Sequence, residues 1–217
     1  PHAAQTVYHL TARDEVRENF PLSSIKAADG SLPDHFVEDV MPGVHSDVGG
    51  GYRSGPDVVH FPPRTFYWID PATRDAEIAA QAAAYQTAHA APGLVVEPII
   101  GRTNLIKGGR RATSVRFQAS RHVYEDLAYV ALERMYAAAV DSGVPLQPLA
   151  TLGREGYAYE VSETLRRLVR RAERAGPGSE AYNALYREYI HHSHQYHRPE
   201  LVTGNGWRED LANVVNS

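Results

Sequence analysis

The stretch HSDVGGGY over residues 45–52 holds the residue types best able to do chemistry. An apolar run delivers a carboxylate, Asp47, to a turn, and Gly49, Gly50 and Gly51 follow. Glycine permits positive φ and close backbone approach. A carboxylate so placed can reach a histidine on another connection, fix its tautomer and stabilise the imidazolium, which is the work of the acid in a Ser-His-Asp triad. The same residues also fit a plain turn, with Asp47 bonded to its own backbone. They form neither a dinucleotide fingerprint nor a P-loop, since G-x-G-x-x-G spacing and a following Gly-Lys-Ser/Thr are both missing. A second cluster, His191, His192, His194 and His197, sets four imidazoles within seven residues. With Asp47 as a further ligand these could hold zinc. HHSHQYH lacks the helical H-E-x-x-H arrangement and its glutamate base, and a solvated loop is the simpler reading.

Elements must bring these groups together. Residues 6–11 read as a buried strand, and the charged run of Arg13, Asp14, Glu15 and Arg17 follows as an ion-pair cluster or a solvated face. Residues 36–44 read as a second strand that runs into the Asp47 turn. Residues 53–69, rich in proline and aromatics, predict a loop. Asp70 and Pro71 make a helix start, an N-cap followed by proline, and the Ala-rich helix stops near Pro92 and Gly93. Residues 94–100 suggest a short strand, and basic residues 102–120 an exposed loop. Ser120 can cap a helix over 121–141, with Val123, Leu127, Val130, Arg134 and Met135 at helical spacing, Gly143 at its end and His122 at its start. Residues 162–175 predict a surface helix, broken by Gly176, Pro177 and Gly178, and another helix covers 179–188. Alternating strands and helices without an internal repeat indicate an α/β layered fold.

Composition narrows the function classes. The chain has 217 residues, 43% hydrophobic and 22% charged, with a formal net charge of −4. That is an ordinary globular composition with no basic excess for nucleic acid. No cysteine is present, which removes disulfides, thiolate metal sites and a cysteine nucleophile. No run approaches the ~18 apolar residues of a membrane span. A strand a few residues after Pro1, and no stop signal before Ser217, read as cuts within a larger protein.

Four segments carry a family resemblance. PGVHSDVGGGY (residues 42–52), HLTARDEVRENF (9–20), DLAYVALERMY (126–136, with GVP at 143–145) and YIHHS (189–193) resemble, in order, segments of an uncharacterised α/β-hydrolase family that includes bacterial type VI secretion phospholipase effectors. The resemblance spans residues 7–195. It implies an α/β-hydrolase fold of which this chain is the C-terminal portion, with a helical or loop insertion after the acid-bearing strand. Residues 1–52 would hold core strands and the acid, 53–120 a lid-like insertion, and 121–217 the helical part with the histidine.

The implied activity is hydrolysis of carboxyl esters of phospholipids through an acyl-enzyme, with no cofactor and no metal. Asp47 is the implied acid and His191 the implied general base, with His192 adjacent and His122 a structural alternative. His45, Ser46, Gly49, Gly50 and Gly51 shape the acid's turn. The family's nucleophile sits in an upstream G-x-S-x-G elbow. None of the twelve serines here has glycine at both required positions, so the serine is expected from a complementary N-terminal segment. Implied partners are phospholipid, the membrane surface, a secretion apparatus and an immunity protein. The implied route runs from the bacterial cytoplasm into a target cell's periplasm.

On the substrate side, Phe61, Phe66, Tyr67 and Trp68 suit either a lid or a core. Arg102, Lys107, Arg110 and Arg111 suit anionic head groups or plain solvent. Two other readings stand beside the serine hydrolase. One is a degenerate hydrolase half that binds a membrane or a partner. The other is a metal-dependent hydrolase built on the histidine cluster.

Overall fold

The computed structural model describes residues 4–17, 20–88, 92–151 and 159–192. Its elements are, in order, β1 (Val7–Ala12), β2 (Phe36–Met41), α1 (His45–Gly49), β3 (Gly55–Trp68), α2 (Pro71–Ala88), β4 (Val96–Leu105), β5 (Arg111–Val123), α3 (Asp126–Asp141), α4 (Glu163–Ala175) and α5 (Glu180–Tyr189). The described residues form two compact units. One draws on Pro1–Gly55 and Val123–Ser193, the other on Pro56–His122.

In the first unit β1 and β2 pair in parallel, in register from Val7 opposite Phe36 to Ala12 opposite Met41. The segment returning to β2 is fastened by Glu38, whose carboxylate accepts from Ser24 Oγ and the Ile25 N–H and meets His9 and Lys26. The helices pack by one face each. In α4, Leu165, Val169 and Ala172 are buried at helical spacing while Arg167 and Arg170 stay in solvent. Ser162 caps its N-terminus by accepting from Leu165 N–H at 3.1 Å. Ser179 does the same for α5 through Tyr182 N–H at 3.2 Å, and α5 buries Ala181, Tyr182, Leu185 and Tyr186. α4 packs on α5, and α3 packs on α1 and β1. Full burial of a leucine or valine such as Leu165, Val169 or Leu185 contributes about 1.5–3 kcal/mol. Arg134 on α3 bridges Asp39 of β2 (3.1 Å) and Glu173 of α4 (2.5 Å), and Tyr8 donates to the same Asp39 at 2.7 Å.

The chain leaves this unit after Gly55 and re-enters it at Val123. The Ser54 hydroxyl accepts the backbone N–H of Glu125 at 3.1 Å.

The second unit is a three-stranded sheet in the order β3-β5-β4, with β4 and β5 antiparallel and an irregularity between Ile100 and Thr103. Every other residue of β5 from Thr113 to Val123 is buried. Val59, Phe61, Trp68, Val115 and Phe117 are buried, as are Ile78 and Tyr85 of α2.

Three expectations are corrected here. Residues 53–69 are mostly strand: β3 lies at the sheet edge, where one of the adjacent prolines 62 and 63 can turn its missing donor to the open side. Residues 102–120 are mostly strand as well, and β5 is the central one. The helix expected from residue 121 begins at Asp126, so His122 sits at the end of a strand and not at a helix start. Of the aromatics, Phe61 and Trp68 fill the core, and Trp68 Nε1 donates to Thr113 Oγ1 at 2.8 Å; Tyr67 is exposed. Arg111 and Arg74 lie over the Trp68 ring at 5.3 and 4.9 Å from its centroid. Arg102, Lys107 and Arg110 are exposed.

Candidate active site

The acid is placed by the connection out of β2. After Met41 the chain turns at Pro42 and Gly43, where φ is +119°. A Cβ on Gly43 would fall 2.9 Å from Asp47 Cβ and 3.2 Å from Leu127 Cδ2, so close packing as well as conformation demands glycine. Val44 then caps α1, and Asp47 occupies its third position. Its carboxylate reaches back to accept the Val44 N–H at 3.0 Å, an N3 acid closing on the N-cap donor. Gly50, at φ +75°, ends the helix. Asp47 is therefore in one turn of helix and is 3% exposed.

The histidine arrives from 144 residues away, at the end of α5. Ile190 is extended and buried, and His191 follows it. His191 Nδ1 lies 2.6 Å from Asp47 Oδ1, and the His191 backbone N–H donates to Oδ2 at 3.1 Å. A carboxylate only accepts, so Nδ1 carries a proton, and in the neutral ring Nε2 is the nitrogen with the free lone pair. Nε2 is buried and has no hydrogen-bond partner among the described residues. The Tyr52 ring lies against the imidazole, centroids 4.6 Å apart. His192 points elsewhere, edge-on to Tyr186 at 5.8 Å. Of the two adjacent imidazoles, His191 is the one brought to Asp47.

The charged run after β1 divides into two tasks. Glu15 takes Arg17 in a two-point pair at 3.0 and 2.9 Å and His45 Nδ1 at 2.7 Å. The Arg17 guanidinium also meets His45, and Phe20 stacks on that ring at 4.4 Å. Ser46 Oγ lies 3.3 Å from His45 Nε2. His45 and Ser46 thus anchor the outer side of α1. Asp14 faces inward instead. Its Oδ2 accepts the Gly43 N–H at 2.6 Å, and the Tyr182 hydroxyl lies 2.9 and 2.7 Å from its two oxygens. Burial pushes Asp14 up to about 6, with the neighbouring Asp47 charge acting in the same sense and the Gly43, Tyr182 and Arg13 contacts opposing it. Nothing local in the sequence separates Asp14 from its charged neighbours.

Beside the pair lies a cavity of about 630 Å³, lined by Gly50, Gly51, Tyr52, Glu125, Tyr129 and Tyr159 among others. Tyr52 is common to the cavity wall and the His191 ring contact. Tyr129 donates to Glu125 at 2.8 Å; burial and that acceptor push its hydroxyl up to about 12. Gly49, the last of α1, has open space around it. Among the described residues no three His, Asp or Glu side chains are grouped to hold a metal ion, and His194 and His197 lie outside those residues.

No protein-family model and no curated protein matches the sequence. Among solved structures, the Tle1 effector bound to the VgrG spike of the type 6 secretion system is similar in fold, with a TM-score of 0.63 and 22% identity over 94% of this chain. The chain spans 45% of that protein's length. No helix among the described residues is long and apolar enough to cross a membrane.

Proposed function

We propose that this chain supplies the acid and the base of a serine hydrolase of the α/β-hydrolase type, acting on carboxyl esters of phospholipids. The observation that carries the proposal is the buried Asp47–His191 pair, whose Nε2 has no hydrogen-bond partner among the described residues. A pair built only for stability would gain by satisfying that nitrogen, because a buried polar atom without a partner costs about 1–3 kcal/mol.

In this reading a serine hydroxyl meets Nε2. His191 takes its proton as the oxygen attacks the ester carbonyl, then returns the proton to the departing alcohol. Water, activated by the same nitrogen, releases the fatty acid from the acyl-enzyme. Asp47 holds the ring and stabilises the imidazolium. The cavity past Tyr52 receives part of the substrate.

The serine comes, we propose, from a complementary N-terminal segment bearing G-x-S-x-G. Two observations support this. The fold neighbour is more than twice as long as the matched region. The β1–β2 pair is parallel yet only half-buried, whereas parallel strands are normally covered on both faces within a larger sheet. The neighbour is an effector docked on a secretion spike, which favours the same delivery for this protein, from the bacterial cytoplasm into a target cell's periplasm. A spike protein, a target membrane and a neutralising immunity protein are then its partners.

The test is hydrolysis of a fluorogenic phospholipid by the full-length protein, beside Asp47→Asn and His191→Ala. Activity that both substitutions abolish while the circular dichroism spectrum is kept supports the proposal. No turnover of lipids or simple esters, or full activity in both variants, sinks it and favours a non-catalytic module.

A further inference from the structure

We propose that Asp14 is the positioning residue of the Asp47–His191 pair, its carboxylate fastening the turn that carries the acid to the helix that carries the base. The inference rests on the function proposed above.

The two elements approach from opposite ends of the sequence. The acid's turn is gripped twice by Asp14: its backbone N–H donates to Gly43 O at 2.9 Å, and its Oδ2 accepts the Gly43 N–H at 2.6 Å. The residue after Gly43 is Val44, whose own N–H holds Asp47 Oδ2. On the other side, Tyr182 reaches Asp14 from the first turn of α5, the helix that ends two residues before His191. The links close a ring: Asp14 to Gly43, Val44 to Asp47, Asp47 to His191, and back along α5 to Tyr182 and Asp14. Remove the Asp14 carboxylate and the ring opens between Gly43 and Tyr182. Catalytic pairs tolerate about 0.5 Å of error, and a displacement near 1 Å can cost about 10²-fold in rate.

Charge makes the link conditional. Asp14 accepts from both partners as a carboxylate and loses acceptor capacity when protonated. The groups facing it are Tyr182 from α5, Arg13 from its own segment and Asp47 from α1. Its upward displacement to about 6 puts that loss within a mildly acidic range.

The experiment uses the full-length protein with Asp14→Asn and Tyr182→Phe, at a temperature well below each variant's melting point. Expected results are a kcat loss of about 10²-fold for Asp14→Asn with KM within about twofold, a smaller loss for Tyr182→Phe, and an acid limb near pH 6 that changes in Asp14→Asn. The low-field proton resonance of His191 Nδ1–H gives a second readout that needs no turnover, and it should shift or broaden in both variants. Unchanged kcat, pH profile and resonance in the two variants overturn the proposal, as does a lowered melting temperature with catalysis and resonance intact. If the wild type hydrolyses no ester, the proposed function fails, and the resonance alone still decides whether Asp14 positions the pair.

Discussion

The backbone N–H and the ring Nδ1 of His191 both end on the carboxylate of Asp47, at 3.1 and 2.6 Å. Main chain and side chain of one residue thus address the two oxygens of the other, which sets the direction of the imidazole as well as its distance. In Asp47→Asn the amide can offer a donor toward Nδ1 and favour the wrong tautomer. Turnover in the full-length protein should then fall about 10⁴-fold while the fold survives. Steady-state kinetics on a soluble ester, with circular dichroism alongside, checks this; a loss under tenfold would remove Asp47 from the mechanism.

Gly43 and Gly50 form a contrasting pair. Both have positive φ, but a Cβ on Gly43 meets Asp47 and Leu127, and a Cβ on Gly50 meets nothing within 4 Å. Gly43→Ala should therefore lose about 3 kcal/mol or more, combining strain and overlap, and displace Asp47, whereas Gly50→Ala should lose only about 1–2 kcal/mol. Urea denaturation of both variants measures the difference, and equal losses would contradict the close approach at Gly43.

Glu38 gives the fold a dependence on acid. Burial alone would raise its pKa, but donors at Ile25, Ser24, His9 and Lys26 win and hold it at about 2, against an ordinary 4.5. The folded chain binds fewer protons than the unfolded chain between those values. The contribution is complete above pH 4.5 and is lost as pH falls through 2. Glu38→Gln should lower stability at pH 7 and flatten the decline below pH 4.5. A pH series of thermal melts that leaves the wild-type and variant curves parallel would count against it.

A fluorophosphonate reagent should label the full-length protein at a serine preceding Pro1, and a chelator should leave turnover unchanged. Peptide mapping locates the label. Its appearance on Ser46, 3.3 Å from His45 Nε2, would replace the proposed serine with one inside this chain, and inhibition by chelator would restore a metal mechanism.

The parts of the fold legible in the sequence were those with local punctuation. Ser162 and Ser179 mark α4 and α5, Pro71 marks α2, and short apolar runs mark β1 and β2. β3 was hidden by Pro62 and Pro63, a pair that reads as a loop in sequence and sits in an edge strand in the fold. β5 was hidden because Arg121 takes one of the buried places in its alternation from Thr113 to Val123, and because Val123, Leu127 and Val130 mimic one helical face. Asp47 stood out through its glycines. The partnership with His191 rested on resemblance, since no local pattern states a contact across 144 residues. Asp14 looked like its neighbour Glu15, and only the fold shows that one faces Gly43 and Tyr182 while the other faces Arg17.

The Ser54–Glu125 hydrogen bond joins positions 71 residues apart, and everything between Gly55 and Val123 enters and leaves through that one doorway. Asp47, His191, Asp14 and Tyr182 all lie on the same side of it. The intervening residues form a compact unit of their own, and the hydrogen bonds that join Asp14, Gly43, Tyr182, Asp47 and His191 draw on none of them.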